Sequence, residues 1–557
     1  MRYTPVAIAS FLALAACTTT PAAVTGDAPV QVNLLAINDF HGNLDPPGGG
    51  VFVIDRANPG ARASVPGGGA PRLASAVAEL ARRPNTVMVA AGDLIGASPL
   101  LSSLFHDEPT IEALSAMGLA ITSVGNHEFD EGWQELKRMQ TGGCHPVDGC
   151  KGPRPFAGAA FEYLAASTFL DDGTTLFPPY SIREFDGVKV GFIGMTLEGT
   201  PDVITPAARA GIRFADEAET VNALVPELQA QGVEAIVVLL HEGGFTTGAQ
   251  DDCRGLAGPI VDIVPKFDKA VDVVVTGHTN GIYICTVDGR LVTSAGAYGT
   301  RLTDISMLID PKTGDVIGAK ARDVMITADA YAEDPAQVAL INAYRTQAEP
   351  LMKRVVGATT AVIARGRTAT GETVLGDIIA DAMLAAARRA EPGTQIAFMN
   401  PGGIRTDLTF AQSVGGGADG QVTYGELFAV QPFSNNLVLM DLTGAQIEAL
   451  LEQQFARATP PMFLQVSRGF SYRWDPARPA GDKVDAKTIT LDGVPLDPTA
   501  NYRVVCNVFL SDGGDGFPEF KKGTNKVSGV FDLEAFEAYL VANQNLDAPA
   551  LNRILSP

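Results

Sequence analysis

Five apolar runs in the first 280 residues each end in glycine and an Asp, His or Asn. Each begins with β-branched or other apolar residues, as expected for a strand buried on both faces of a sheet. Each then breaks at Gly, Asn or Asp, where a strand gives way to a loop. The runs span 32–43, 85–94, 120–130, 234–244 and 271–280. They predict strands whose polar ends lie together.

Residues 30–325 alternate such runs with stretches of helical periodicity at 72–83, 110–118 and 218–232. This alternation is typical of an α/β domain. The Gly- and Pro-rich segment 46–71 predicts a surface loop.

A second α/β unit is expected after residue 357, because 557 residues exceed what one hydrophobic core usually supports. A long helical run at 334–356 leads into it, and an amphipathic helix is predicted at 372–390. Its predicted strands are 395–400, 436–442, 489–496 and 502–510.

The charge balance limits the partners. A formal net charge of −22 argues against binding a nucleic-acid polymer, which needs a basic face. It does not argue against a small phosphorylated substrate, because metal ions and a few arginines can set the local field.

The N-terminus is expected to be a targeting segment. Arg2 precedes an apolar stretch, 6–16, that is too short to span a bilayer. The sequence LAAC at 14–17 resembles the lipobox of bacterial lipoproteins. This implies cleavage before Cys17, lipidation of Cys17, a tether at 18–29, and export to the cell envelope (the outer membrane or periplasmic face in a Gram-negative host). The alternative is an ordinary secretory peptide.

Export permits disulfides. Cys144 and Cys150 bracket a short loop and predict a local bridge, and Cys253 and Cys285 are placed to join the fourth and fifth runs. Cys506 lies in an apolar run and predicts a buried free thiol. These pairings are inferred from position, since sequence does not fix connectivity.

The polar ends of the runs have the composition of a metal site. Four of the six histidines fall there. A carboxylate at a strand end can bridge two divalent ions, and Asp93 is the predicted bridge. Nitrogen and oxygen ligands without thiolate suit Zn, Mn, Fe or Ni. The candidates are Asp39, His41, Asp93, Asn126, His127, His241, His278 and Asn280.

His127 and Asp130 are expected to be catalytic. Water shared by two such ions would ionise near neutral pH and attack phosphorus in line. His127, beside Asn126, would then donate a proton to the leaving oxygen, and Asp130 would orient its imidazole. His106 and His145 lie outside the runs and are expected to be ordinary surface residues.

The motifs NDFHGN, GDL, GNHEFD, HEGG and GHTN, in this order, resemble the calcineurin-like metallophosphoesterase domain of the 5′-nucleotidase / UDP-sugar hydrolase family. The resemblance implies an α/β fold: a four-layer αββα sandwich at 30–330, a linker helix at 331–357 and a smaller α/β (α+β) nucleotide-binding domain at 358–557. It assigns His127 and Asp130 as the catalytic pair. Its implied ligands of a two-metal centre are Asp39, His41, Asp93, Asn126, His241 and His278. Asn280 departs from the commonest family form, which has histidine there.

Three C-terminal motifs point to a nucleotide. NPGGIR (400–405) has two glycines that let the backbone approach a ligand, followed by an arginine suited to carboxylate or phosphate. QPFSNN (431–436) and FLSDGGDGF (509–517) each carry a phenylalanine in a turn-rich setting, and two aromatic faces can hold a flat heterocycle. These motifs resemble the nucleotide-binding domain of the same family. The implied roles are base stacking by Phe433 and Phe509, ribose binding by Asp515, and polar contacts by Asn400, Arg405 and Asn435.

One stretch departs from the family pattern. In GRTATGETVLGD (366–377), Gly371 stands where an arginine is often found and Asp377 replaces asparagine. Arg365 and Arg367 are candidates to replace the missing arginine.

The leading hypothesis is an exported 5′-nucleotidase that uses two divalent ions, Zn, Mn or similar, to release phosphate and nucleoside. The alternatives are a 2′,3′-cyclic nucleotide phosphodiesterase, a nucleotide-sugar pyrophosphohydrolase, or a nucleotide-binding lipoprotein whose metal site has decayed. Family members rotate one domain against the other, and the hinge is expected near 334–356.

Overall fold

The computed structural model describes residues 28–54, 62–205, 208–249, 251–411, 418–433, 435–456 and 461–557. The predicted leader and Cys17 lie outside the described residues, as does most of the tether.

The N-terminal half alternates strands and helices. Its strands are β1 Val30–Ile37, β2 Val51–Ile54, β3 Arg62–Val65, β4 Thr86–Ala91, β5 Leu119–Ser123, β6 Glu162–Leu164, β7 Thr168–Leu170, β8 Tyr180–Phe185, β9 Val188–Thr196, β10 Ile212–Phe214, β11 Ala235–His241, β12 Val271–Thr276, β13 Ile282–Val287, β14 Arg290–Ala295, β15 Arg301–Ile309 and β16 Val316–Met325. Its helices are α1 Ala70–Leu80, α2 Leu100–Ser103, α3 Glu108–Met117, α4 Trp133–Thr141, α5 Glu217–Ala230, α6 Ile260–Ile263 and α7 Pro335–Met352.

Two six-stranded sheets form the centre of this half, in the orders β16-β15-β1-β4-β5-β6 and β13-β14-β12-β11-β9-β8. Strands β1, β4, β5 and β6 run parallel in the first sheet, and β9, β11, β12 and β14 run parallel in the second. The carboxyl ends of β1, β4 and β5 therefore meet at one edge of the first sheet, and those of β11 and β12 meet at one edge of the second.

Alternation along the strands builds the layers. In β1, Leu34 and Ala36 face the second sheet and pack with Val237 and Leu239 of β11, while Leu35 lies in the cluster that includes α1 and α3. Helix α5 covers the outer face of the second sheet. The order helix–sheet–sheet–helix confirms the αββα sandwich.

The C-terminal half has a second, smaller α/β core. Its strands are β17 Val355–Ala358, β18 Ile396–Met399, β19 Gln421–Thr423, β20 Asn436–Thr443, β21 Gln465–Val466, β22 Phe470–Arg473, β23 Thr490–Leu491, β24 Val494–Pro495, β25 Asn501–Asn507, β26 Thr524–Phe531 and β27 Ile554–Leu555. Its helices are α8 Val374–Ala390, α9 Tyr424–Val430, α10 Gly444–Gln453, α11 Val508–Ser511 and α12 Asp532–Ala542. A five-stranded sheet, β21-β18-β25-β20-β26, packs α8 and α12 on one face and α10 on the other.

Helix α7 contacts both halves. The side chain of Asp334 accepts a hydrogen bond from the N–H of Gln337 (2.9 Å) and caps the start of the helix. The helix packs on α1, α2 and α3 of the N-terminal half and on α9 of the C-terminal half.

Three local predictions need correction. The run 489–496 is not one strand, because β23 and β24 pair antiparallel within it across a turn at Asp492 and Gly493. The segment 46–71 is not entirely loop, because β2 and β3 pair antiparallel within it. The apolar run 502–510 is not one strand: β25 ends at Asn507, whose side chain accepts the N–H of Leu510 (2.9 Å) and starts α11.

Both expected disulfides are present, Cys144–Cys150 and Cys253–Cys285, and Cys506 is a buried free thiol. Within the part of the chain that the structure describes, no helix has the length and apolar character needed to cross a membrane.

Candidate active site

The predicted metal ligands converge where the parallel strands of both sheets end. Asp39, Asp93 and Asn126 lie just after β1, β4 and β5, while His241 closes β11 and His278 follows β12. Of these, Asp39, Asp93, Asn126 and His241 are buried, each with at most 2% of its surface exposed. The sandwich thus brings together side chains that lie up to 239 residues apart in sequence.

The backbone at these turns is held in the left-handed region, which non-glycine residues rarely adopt. The φ angles are 50° at Asp39, 46° at His41, 50° at Asp93, 68° at His278 and 53° at Asn280. Such conformations persist where the surrounding structure imposes them, typically at ligand-binding sites. Five predicted ligand positions share this uncommon backbone conformation.

Asp93 lies at the centre of the group. Its Oδ2 is 3.0 Å from Nε2 of His241 and 3.7 Å from Nε2 of His41, and its Oδ1 accepts the N–H of His127 (2.9 Å). Two sets of closely spaced donor atoms share it: one with His41 and His127, the other with His241 and His278. This is the position a ligand common to two ions requires.

Asn126 and Asp39 complete the two sides. The Oδ1 atom of Asn126 lies 3.2 Å from Nε2 of His241 and 2.9 Å from Nδ1 of His278. Asp39 receives an N–H from the Asn38 side chain at Oδ2 (2.6 Å). Its buried Oδ1 has no hydrogen-bond partner among the described residues. A buried carboxylate oxygen without a donor fits a cation site, since leaving it unpaired is costly.

Burial and neighbouring carboxylates set the pKa values of the imidazoles; at His241 burial is outweighed by the Asp93 carboxylate, which raises the pKa to about 10. Burial lowers the pKa of both His41 and His278 to about 3, so both are neutral and can act as ligands. It also raises the pKa of Asp39 to about 7. Burial raises the pKa of Asp93 too, but the imidazoles of His241 and His127 outweigh it and hold that pKa well below its usual value.

His127 and Asp130 form a pair beside this group. Nδ1 of His127 is 3.0 Å from Oδ2 of Asp130, which also accepts the N–H of Ala97 (3.0 Å). Burial lowers the pKa of His127, but the carboxylates of Asp130 and Asp93 outweigh it and raise that pKa above its usual value. With Nδ1 turned to Asp130, Nε2 is the atom available to a ligand.

Glu128, which the sequence pattern does not single out, connects two of the turns. Its carboxylate accepts the N–H groups of Asp93 (2.9 Å), Leu94 (2.8 Å) and Gly125 (2.6 Å). It therefore fixes the GDL turn against the GNHE turn and positions Asp93 relative to Asn126. Glu128 is part of the motif GNHEFD. Its hydrogen-bond partners are backbone N–H groups, which cannot be inferred from the types of the residues that carry them.

A cavity of about 670 Å³ lies between the two halves. Two predicted ligands, Asp39 and His241, are not in its wall. Asn280 lines the cavity wall and is exposed to solvent. The predicted site residues that line the cavity are His41, Asp93, Asn126, His127, Asp130, His278, Asn280, Asn400, Arg405, Phe433, Asn435, Phe509 and Asp515.

The C-terminal wall faces the predicted catalytic residue His127 directly. The Phe433 ring lies 5.7 Å from the His127 ring, nearly parallel at 19°. The Arg405 guanidinium lies 5.7 Å from the same phenylalanine ring. Its positive charge contributes to lowering the pKa of His41 and of His278. Arg405 is therefore placed to meet an anion held beside the metal ligands.

The other C-terminal residues are held by polar contacts and close packing. The Asn400 side chain donates to Oδ2 of Asp515 (2.7 Å) and accepts from Asn507 (2.9 Å). The Phe509 ring rests on Gly514, where a Cβ would lie 2.5 Å from the ring. The absence of a side chain at Gly514 thus leaves room for the Phe509 ring.

The structure explains the departure at Gly371. Its φ is +95°, and a Cβ there would lie 2.2 Å from the Phe463 ring, so an arginine does not fit. Neither proposed replacement lines the cavity. Arg365 donates to the carbonyl of Ile404 (3.0 Å) and Arg367 to that of Pro461 (2.8 Å). Of the arginines weighed for the anion, Arg405 alone lies in the cavity wall.

His106 and His145 are not ordinary surface residues, contrary to expectation. Their side chains are only 13% and 15% exposed, and their rings stack at 3.9 Å. They gather with Glu131 and Glu135, and local sequence patterns do not predict this because the four residues come from three separate segments.

Comparison with known proteins agrees with this geometry. Residues 32–281 match the calcineurin-like phosphoesterase family, and residues 355–522 match the 5′-nucleotidase C-terminal domain. The chain is 33% identical to cell wall protein Lmo0130 of Listeria monocytogenes, over 94% of this chain and 68% of that protein. It is also 33% identical to endonuclease YhcR of Bacillus subtilis, over 92% of this chain but only 40% of that longer protein.

The crystal structure of a 5′-nucleotidase precursor from Thermus thermophilus superimposes with a TM-score of 0.76 and 28% identity. The match covers 95% of this chain and 99% of that one. The domain matches, the shared architecture and the ligand geometry together place this chain in the 5′-nucleotidase family of calcineurin-like phosphoesterases, which are hydrolases of phosphoric esters.

Proposed function

We propose that the protein is an exported 5′-nucleotidase that hydrolyses nucleoside 5′-monophosphates to nucleoside and phosphate with two divalent metal ions. The observation that carries this proposal is the shared cavity. Predicted metal ligands form its N-terminal wall, while an arginine and two phenylalanines form its C-terminal wall. A nucleotide needs both walls at once: metal ions and Arg405 for the phosphate, and aromatic faces for the base.

The proposed metal ligands are Asp39, His41, Asp93, Asn126, His241, His278 and Asn280. The oxygen and nitrogen donor set and the unpaired Oδ1 of Asp39 both fit divalent ions such as Zn or Mn. When bound, such ions supply an activated water and neutralise charge on the phosphate.

The protein's own groups orient the ester and handle the proton. Arg405 holds the phosphate from the side opposite the metal ligands, and its planar guanidinium suits two phosphate oxygens. His127 donates its Nε2 proton to the leaving ribose oxygen, with Asp130 fixing the ring through Nδ1. Asn400, Asn435 and Asp515 offer polar contacts to the sugar and base, and Phe433 and Phe509 stack on the base.

We extend the proposal to location and domain organisation. Two disulfides are typical of exported proteins. With the lipobox-like sequence at 14–17, they support lipidation at Cys17 and attachment to the cell envelope. The proposed domains are 30–330 and 358–557, and α7 between them, which packs on both, is the proposed hinge.

A substrate panel tests the activity. Metal-stripped protein resupplied with Mn²⁺ is assayed on AMP, 2′,3′-cyclic AMP, UDP-glucose, a DNA oligonucleotide and a non-nucleotide phosphate ester. We expect AMP to give the highest kcat/KM, well above the simple ester, because the simple ester has no base to engage the aromatic wall. Preferred turnover of the cyclic diester or of UDP-glucose would replace this function with the corresponding diesterase or pyrophosphohydrolase.

The DNA oligonucleotide is included in the panel because the chain is similar to a protein named an endonuclease. A cavity of about 670 Å³ between two domains and a net charge of −22 favour a small nucleotide over a polymer. Nucleotide binding without turnover on any substrate would make the protein a binding lipoprotein instead.

A further inference from the structure

A second group of ligand-type side chains lies outside the proposed catalytic centre. We call His106, Glu131, Glu135 and His145 the second histidine cluster. Each offers one donor atom, and these atoms all lie within 4.8 Å of one another. His106, Glu131 and Glu135 line the wall of the substrate cavity.

His106 is oriented as a metal-bound histidine usually is. Its Nε2 lies 3.0 Å from the Asp148 carboxylate, while its Nδ1 lies 2.8 Å from Oε2 of Glu131. An ion at Nδ1 leaves the Nε2–H bond to Asp148 intact, which gives the carboxylate–histidine–metal arrangement common in metalloproteins. Lys151 partly balances the charge of Asp148 at 2.5 Å.

His145 comes from the loop closed by the Cys144–Cys150 disulfide. Its Nε2 lies 3.9 Å from the same Glu131 oxygen, and its Nδ1 accepts the N–H of Asp148 (3.1 Å). Coordination through Nε2 moves the ring proton to Nδ1 and exchanges this exposed hydrogen bond for one to water.

Glu135 brings a second carboxylate, held by Nε of Arg138 at 2.9 Å. Two imidazoles with two carboxylates are a donor set that zinc and similar transition metals accept, and calcium does not favour. Without a cation, the negative charges of Glu131, Glu135 and Asp148 are balanced by the positive charges of Arg138 and Lys151. Both imidazoles then lie close to the same Glu131 oxygen.

We propose that the second histidine cluster binds a further divalent transition-metal ion of the zinc type, separate from the catalytic pair. The ion joins the disulfide loop 144–150 to Glu131, the residue after Asp130. It therefore braces the cavity wall beside the catalytic His127–Asp130 pair without contacting the substrate phosphate.

Counting bound zinc tests the proposal directly. Wild-type protein, His145→Ala, His106→Gln and the control Lys151→Ala are stripped of metal, reloaded with Zn²⁺, desalted and analysed by mass spectrometry. We expect both histidine variants to retain one zinc ion per chain fewer than the wild type and the lysine control. Equal zinc in all four proteins would overturn the proposal.

Folding and the catalytic centre are monitored separately. Circular dichroism should be unchanged in His106→Gln, which keeps a polar side chain at that position, and the zinc ions that this variant still retains report on the catalytic centre. If His145→Ala fails to fold, the comparison of His106→Gln with Lys151→Ala still decides the question. Because the readout is a difference in zinc content, it does not depend on AMP being the substrate.

Discussion

The two walls of the cavity are built differently. On the N-terminal wall, buried side chains at strand ends are held by left-handed turns and by backbone hydrogen bonds to Glu128. On the C-terminal wall, Phe433 and Phe509 are partly exposed; Phe433 lies in a turn after α9, and the Phe509 ring rests on Gly514. Under the proposed function, this difference implies a division of roles: a rigid wall that performs the chemistry and an adaptable wall that selects the substrate.

The largest effect is expected at Asp93. Asp93→Asn removes the charge shared by both donor sets, so metal binding and AMP turnover should fall together, by on the order of 10³-fold or more in kcat. Metal content and phosphate release measure this, with exposed Asp171→Asn as the control. Normal turnover in Asp93→Asn would remove Asp93 from the centre.

His127→Ala separates chemistry from metal binding within the rigid wall. Loss of the proton donor should lower kcat by about 10²–10⁴-fold while both ions stay bound. The effect should shrink for esters with good leaving groups, which need no proton. A uniform loss on all leaving groups, or no loss, would contradict the assigned role.

Glu128→Gln tests whether the rigidity matters. The amide keeps the shape but replaces one acceptor oxygen with a donor facing backbone N–H groups. We expect metal affinity to weaken by about 10–100-fold, as for other groups that orient ligands. Metal titration measures the change, and unaltered affinity would show that the turns hold without Glu128.

Phe509→Ala probes the adaptable wall. Loss of one stacking face costs about 1–3 kcal/mol per base, so KM for AMP should rise by roughly tenfold or more. Turnover of a non-nucleotide ester should not change, because that ester has no base to stack. An equal loss on both substrates would place Phe509 in folding rather than in selection.

The smallest effect is expected in the C-terminal core, at Asp377. Burial raises the pKa of Asp377 to about 9 despite Arg553, whose Nε is 3.3 Å from the carboxylate. The folded carboxyl therefore stays protonated where the unfolded chain is already ionised, so stability falls as pH rises from about 4 to 9.

Asp377→Asn removes this titration and restores the amide common in the family. It should stabilise the protein by about 1–3 kcal/mol at pH 8 and by less at pH 4. Thermal unfolding of both proteins across this pH range checks the prediction. A difference in stability that does not change with pH would refute the titration of Asp377.

The rigid wall was also the more predictable one. The sequence predicts that five residues of this wall lie together, because each stands at the end of an apolar run and parallel strands bring such positions to one edge. These residues are Asp39, Asp93, Asn126, His241 and His278. The αββα sandwich and both disulfides were also anticipated.

Features that depend on distant contacts were missed. Glu128 accepts hydrogen bonds from backbone N–H groups of two turns, and its position in the sequence does not predict which residues supply them. His106 meets His145 only because the disulfide loop folds back toward Glu131. The exclusion of arginine at Gly371 comes from Phe463, which lies 92 residues further along the chain. Local patterns carry none of these contacts.

The central claim is that two ions sharing Asp93 support nucleotide hydrolysis. Mn²⁺ titration of the metal-stripped His145→Ala variant, followed by electron paramagnetic resonance and phosphate release from AMP, tests it most directly. The claim predicts that turnover rises together with the exchange-coupled signal of a Mn²⁺ pair. Full turnover while the spectrum shows isolated Mn²⁺ ions alone, or turnover without metal, would contradict it.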